Sequence, residues 1–147
     1  MSVADLASLA SSVAVVASLL FLGLQIRQSN RNQRSLMQQG RSARHVELLS
    51  RLSDPRVSDV ISRGASGESL SDQDCFILYG YLTSVFSSYE DGFFQFRLGV
   101  LDAQSWASDG NTLKRILGNP AYRAVWRFMR GGMGNKYRSF LDGLAAE

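Results

Sequence analysis

The sequence predicts an all-α protein: one N-terminal transmembrane helix followed by a small helical bundle of about four to five helices. Three observations predict it. Residues Leu6–Ile26 carry no charge, and eleven of these twenty-one are Leu, Ile, Val or Phe. Beyond them, apolar residues recur at three- and four-residue spacings, the helical period. Only two prolines, Pro55 and Pro120, interrupt the 147 residues, and strand signals are scarce.

The first element is the anchor, residues 1–26. Twenty-one residues at about 1.5 Å each span roughly 32 Å, which matches a hydrocarbon core of about 30 Å. Leu6, Leu9, Val13, Val16, Leu20, Phe21, Leu24 and Ile26 mark the span. The eleven large apolar residues together favour insertion by roughly 3 to 7 kcal/mol. Four serines interrupt the run, and a helical serine hydroxyl can donate to the i−4 carbonyl, which leaves none unpaired in lipid. A cleaved signal peptide needs a basic start and a shorter core. Here the start is MSVAD, without Lys or Arg, and Arg27, Arg31 and Arg34 follow as a stop-transfer flank. Ala7, Ser11, Ala14 and Ser18 form a small-residue stripe that would let a second transmembrane helix approach closely.

Residues 27–53 form a basic juxtamembrane neck, with six arginines against Glu47, whereas the start holds Asp5 alone. The positive-inside rule then puts the N-terminus outside and the body in the cytoplasm. On a continuing helix Arg27, Arg31, Arg34 and Arg41 fall within about 80° of one another, a face that could meet anionic headgroups. An ordinary topology signal is the simpler reading of the same residues. His45, Leu48, Leu49 and Leu52 predict an apolar stripe at the neck's end, with Gly40 as its weak point. Asp54-Pro55 closes the element, because a residue before proline avoids helical backbone.

The helical domain is expected over residues 54–147. A short helix over 55–63 would bury Val57, Val60 and Ile61, with 64–67 as a loop. Ser71 is the expected N-cap of a long helix, with Asp72 and Asp74 in its positive first turn and Leu70 stapled to Cys75. Cys75, Leu78, Leu82, Phe86, Tyr89, Phe93, Phe96 and Val100 give its apolar face, up to a stop at Gly99. Fifteen uncharged residues flanked by acids are too short for a second span, so this is a core helix. A row of small residues runs beside that face: Gly80, Ser84, Ser88 and Gly92, at strict i+4 spacing. Two helical glycines cost about 1 kcal/mol each relative to Ala. Close packing of a neighbouring helix, from this chain or another, would offset that cost. Asp102 is the expected N-cap of a helix to Leu117, which buries Trp106, Leu113, Ile116 and Leu117 and is weakened or broken at 109–111. Asn119-Pro120 starts the next helix, with Tyr122, Val125, Trp126 and Met129 inward and Arg123, Arg127 and Arg130 outward. After a glycine turn, Tyr137, Phe140, Leu141 and Leu144 mark a last helix.

This organisation resembles a group of uncharacterised bacterial proteins. The resemblance rests on a span ending in VASLLFLGLQIRQSNRNQ, on GVLDAQSW at 99–106 and on NPAYRAVWR at 119–127. It covers nearly the whole chain. It implies an N-terminal membrane span and an all-helical cytoplasmic domain; the group carries no assigned activity and so supplies no functional residues. The expected location is the bacterial inner membrane.

The sequence holds no catalytic set. A single cysteine, Cys75, excludes an internal disulfide, and a single histidine, His45, excludes a multi-histidine metal site. There is no GxSxG, and GGMG at 131–134 lacks the GK[ST] of a phosphate loop. Glu90 and Asp91 are adjacent, so on a helix they point about 100° apart, a poor acid–base pair. They read as a solvated acidic patch facing the basic C-terminal helices. No catalytic residue, metal or cofactor is expected. Charge is segregated: eight acids against three arginines in 54–102, seven bases against three acids in 103–147. The bases lie near Trp126 and Tyr137, but those rings fall on apolar stripes, so no nucleic acid is expected. The expected partners are the lipid bilayer and a membrane or cytoplasmic protein, or a second copy of the chain. The alternative is a tethered sensor, with a small apolar ligand held beside Tyr79, Tyr81, Phe86 or Phe94.

Overall fold

The computed structural model describes residues 3–146; the side chains of Ala4, Asp5, Ala7, Leu9 and Ala10 lie outside the described set. Six α-helices follow one another: α1 (Val3–Arg51), α2 (Pro55–Ser66), α3 (Asp72–Arg97), α4 (Ala103–Gly118), α5 (Pro120–Met129) and α6 (Asn135–Ala146). A single 3-10 turn, Arg130–Gly132, links the last two, and the described residues include no strand. Five helices follow α1, and with the end of α1 the bundle has six helical segments, against four to five expected. The chain divides into two units between Gln39 and Gly40, inside α1, so the last turns of α1 enter the C-terminal unit as an additional helical segment.

In the first unit α1 runs without a break. The side chains from 11 to 36 are all exposed, so nothing within the unit covers them. Ser12 and Ser18 donate to the carbonyls of Ser8 and Ala14, the i−4 pattern expected of serines in an apolar helix. This helix is long and apolar enough to cross a membrane. Gly40 does not interrupt it.

In the second unit, α2, α3, α4 and α5 each start where a side chain caps them. Asp54 accepts from the backbone of Arg56 and Val57, Ser71 from Asp74, Asp102 from Ser105, and Asn119 from Ala121 and Tyr122. Pro55 and Pro120 occupy first-turn positions, where a missing N–H costs nothing. Gly67 (φ 77°) and Gly99 (φ 70°) end α2 and α3 in left-handed backbone. In both, the glycine N–H returns to the residue three back and the next N–H to the residue five back.

The core lies where α3 packs against α2, α4 and α5, and where α4 packs against α5 and α6. Phe86, Trp126 and Tyr137 are fully enclosed at its centre, with Val60, Leu113, Leu117 and Leu141 around them. Each such burial stabilises by about 1.5–3 kcal/mol. Tyr137 donates to the Phe86 carbonyl at 3.0 Å, and burial pushes its hydroxyl far above the ordinary tyrosine value. The Trp126 indole donates to Asp142, which also accepts from Arg130.

Four expectations need correction. Residues 64–66 continue α2 and are not a loop: Gly64 is buried, and a Cβ there would lie 3.0 Å from Leu78 Cδ2. Residues 109–111 do not break α4, which runs unbroken from 103 to 118. Cys75, expected on the apolar face of α3, is exposed, and Leu70 Cδ1 would lie 3.5 Å from a Cβ at Gly64. Of the stripe at the end of α1, Leu48 and Leu52 are partly covered, while His45 and Leu49 stay exposed.

Candidate functional site

The predicted anchor residues Leu6, Val13, Val16, Leu20, Phe21, Leu24 and Ile26 all present exposed side chains on α1; the Leu9 side chain lies outside the described residues. So does that of Ala7, while Ser11, Ala14 and Ser18 of the same stripe are exposed. Arg27, Arg31 and Arg34 are exposed along α1. Arg41 departs from them. It belongs to the second unit and donates to Asp109 of α4 at 2.6 Å, with both groups mostly covered. Burial pushes the Asp109 carboxyl up, and the charges of Arg41 and His45 offset this only in part.

One turn later on α1, Arg44 pairs with Asp91 of α3. Arg51 then donates to Ser84 Oγ at 3.4 Å and pairs with Glu47. The final turns of α1 therefore meet α3 and α4 through three arginines, with Leu48 among them. The acidic patch is consequently not a free face toward the C-terminal helices. Asp91 is taken by Arg44, and Glu90 Oε1 accepts the Gly134 N–H at 2.7 Å.

The small-residue row on α3 meets different surroundings along its length. Gly80 is exposed, with nothing within 4 Å of where a Cβ would stand. Ser84 and Ser88 line a cleft of about 310 Å³ with Arg44, Leu48 and Arg51 of α1. Gly92 is buried against α4: a Cβ there would stand 3.3 Å from Asp109 Oδ2 and 3.9 Å from Trp106 Cζ3. The close approach thus centres on Gly92 and the Arg41–Asp109 pair.

A second charged cluster joins α2 to α3. Asp74, 9% exposed, lies 3.4 Å from both Arg56 and Arg63. The Ser71 hydroxyl first, then Arg63 and Arg56, hold its carboxyl below the usual aspartate range. These partners satisfy Asp74 and knit the two helices. Among the described residues, no group of three His, Cys, Asp or Glu side chains is placed to hold a metal ion.

The sequence predicts the outward arginines of α5 but not the exposed Phe76 and Phe128. Phe76 on α3 and Phe128 on α5 are 76% and 82% exposed and flank a groove of about 520 Å³. Cys75, Tyr79, Ala124 and Val125 also line it, and the Tyr79 and Phe128 rings meet edge-on at 5.7 Å. On the other flank of α5, Arg123, Arg127 and Arg130 line a cleft of about 390 Å³ with Asp142. Both phenylalanines stand off the apolar stripes, and that mismatch was the available signal. Of the residues weighed for a ligand, Phe86 is sealed in the core, Tyr81 is partly covered and Phe94 is exposed beside Gly134.

No protein-family model, no curated protein and no solved structure matches this chain.

Proposed function

We propose that this chain is a single-pass protein of the bacterial inner membrane. Its N-terminus lies outside, its helical domain lies in the cytoplasm, and it acts as a protein-interaction, accessory-subunit or regulatory module. The observation that carries the reading is the uncovered apolar length of α1. From Ser11 to Ile26 every side chain is exposed, and none of these residues carries charge. Such a surface is stable only where something apolar replaces water, and its length matches a bilayer. The arginines at 27, 31 and 34 support the orientation.

The binding role draws on the exposed grooves, since a patch of uncovered aromatic side chains marks an interaction surface. No enzymatic activity is proposed. The alternative, a tethered sensor for a small apolar ligand, draws on the groove beside Tyr79. Its two phenylalanine walls are open to solvent, which suits a surface contact better than an enclosed ligand.

The test is extraction of the native protein in mild detergent, followed by size analysis and identification of whatever co-purifies. A stoichiometric protein partner or a homo-oligomer is expected. A lone monomer would remove the interaction role. Recovery of the intact chain in the soluble fraction after cell breakage would remove the anchor.

A further inference from the structure

We propose that the outer face of α5, with Phe76 of α3 beside it, docks onto an anionic lipid surface. The inference begins with the charge along the chain. Between Asp109 and Asp142 stand seven bases and no acid. Three of these bases, Arg123, Arg127 and Arg130, recur at i, i+4 and i+7 and line one flank of α5. Asp142 engages Arg130, and Arg123 donates to the Gly118 carbonyl, while Arg127 is exposed. The opposite flank of α5 carries Phe128, which faces Phe76 across the apolar groove.

One short helix thus presents cations along one edge and an uncovered phenyl ring along the other, with Phe76 of α3 beside that ring. That is the pattern of a helix lying in a membrane interface, rings in the acyl boundary and guanidiniums at the phosphates. Two further points select lipid over other acidic partners. The rings flank an apolar groove in which Tyr79 already packs against Phe128, so they are set for burial more than for stacking on separate bases. The apolar helix of the same chain would also hold this face at high local concentration beside a bilayer, where weak affinity suffices.

Cys75 makes the test direct, because it is the chain's sole cysteine, is exposed and lines the groove. The full-length chain would be labelled there with an environment-sensitive fluorophore and added to vesicles of phosphatidylcholine, with or without phosphatidylglycerol. The expected result is a blue shift, and quenching by lipid-borne nitroxide, only in the anionic vesicles. Both signals should weaken with added salt. Phe128→Ser and the Arg123→Gln/Arg127→Gln pair should each abolish the response; unchanged melting by circular dichroism would show that the variants fold. An unresponsive label in anionic vesicles that the chain has entered overturns the proposal and leaves the anchor standing. A response to an acidic peptide or an oligonucleotide in place of vesicles also overturns it. Flotation with neither vesicle type overturns both readings, whereas flotation with anionic vesicles alone, lost in these variants, upholds docking against anchoring.

Discussion

Gly80 and Gly92 occupy the same row of α3, yet they carry opposite consequences. At Gly80 a methyl group meets open space, so Gly80→Ala gains the helix propensity that glycine forfeits, about 0.5–1 kcal/mol. At Gly92 the added Cβ would press on the Asp109 carboxylate at 3.3 Å and disturb its pairing with Arg41. Thermal melts should therefore rise for Gly80→Ala and fall for Gly92→Ala; a fall for both would mean that something else packs on Gly80. The aspartates divide in the same manner. Asp74 and Asp102 are held below the ordinary value of 3.8, chiefly by the hydroxyls of Ser71 and Ser105. Their stabilisation is complete above that pH and is lost as pH falls through their lowered folded values. Asp109 is raised, so its contribution has the opposite sign: burying its charge costs stability once pH climbs through its ordinary value. Asp74→Asn should thus flatten the acid limb of a stability–pH curve, and denaturant midpoints measured from about pH 2 to 7 would show it.

At the scale of elements, the caps explain why α2 to α5 could be read so directly. Asp54-Pro55, Ser71, Asp102 and Asn119-Pro120 are local signals, complete within four residues, and each starts a helix in the structure. What could not be read depends on partners distant in sequence. Residues 109–111 look like a break, yet Asp109 sits opposite Arg41, sixty-eight positions away, and α4 continues through them. The end of α1 looks like an apolar stripe but docks largely through Arg41, Arg44 and Arg51, because the α3 and α4 side chains it meets are acids and a serine. Phe76 and Phe128 show the complementary limit. Periodicity identifies the face that turns inward and says nothing of why an aromatic stands on the other one. The docking of α1 leads to a prediction. Arg41→Ala would leave the mostly covered Asp109 carboxylate without its cation, at a cost of about 1–3 kcal/mol near neutral pH. The cost should shrink as pH falls and Asp109 takes up a proton, which needs no cation. Midpoints compared at neutral and acidic pH would reveal that convergence, and a pH-independent loss would indicate that Arg41 acts through packing alone.

For the whole molecule, two units within one chain imply two separable free energies. The residues that would hold α1 in lipid contribute nothing to the core around Phe86, Trp126 and Tyr137, because all of them precede Gly40. Insertion and folding should therefore respond to different substitutions. The eleven apolar residues of the span supply roughly 3 to 7 kcal/mol towards insertion, and one arginine near its centre removes about 2.5–3.5 kcal/mol. A single Val16→Arg should leave a chain that still partitions into membranes, though less completely. Val16→Arg with Leu20→Arg removes as much as the span supplies, so the double variant should appear in the soluble fraction. Both positions are exposed on α1, so neither arginine is forced into a packed core. Soluble double variant should then melt at the same temperature as the detergent-extracted parent, measured in the same detergent. If the double variant stayed wholly membrane-bound, the affinity would have to come from elsewhere in the chain, and the arginine-and-phenylalanine face of α5 would be the first place to mutate. If instead its melting temperature collapsed, α1 would be part of the folded core in solution, and its exposed apolar surface would need a protein partner in place of lipid.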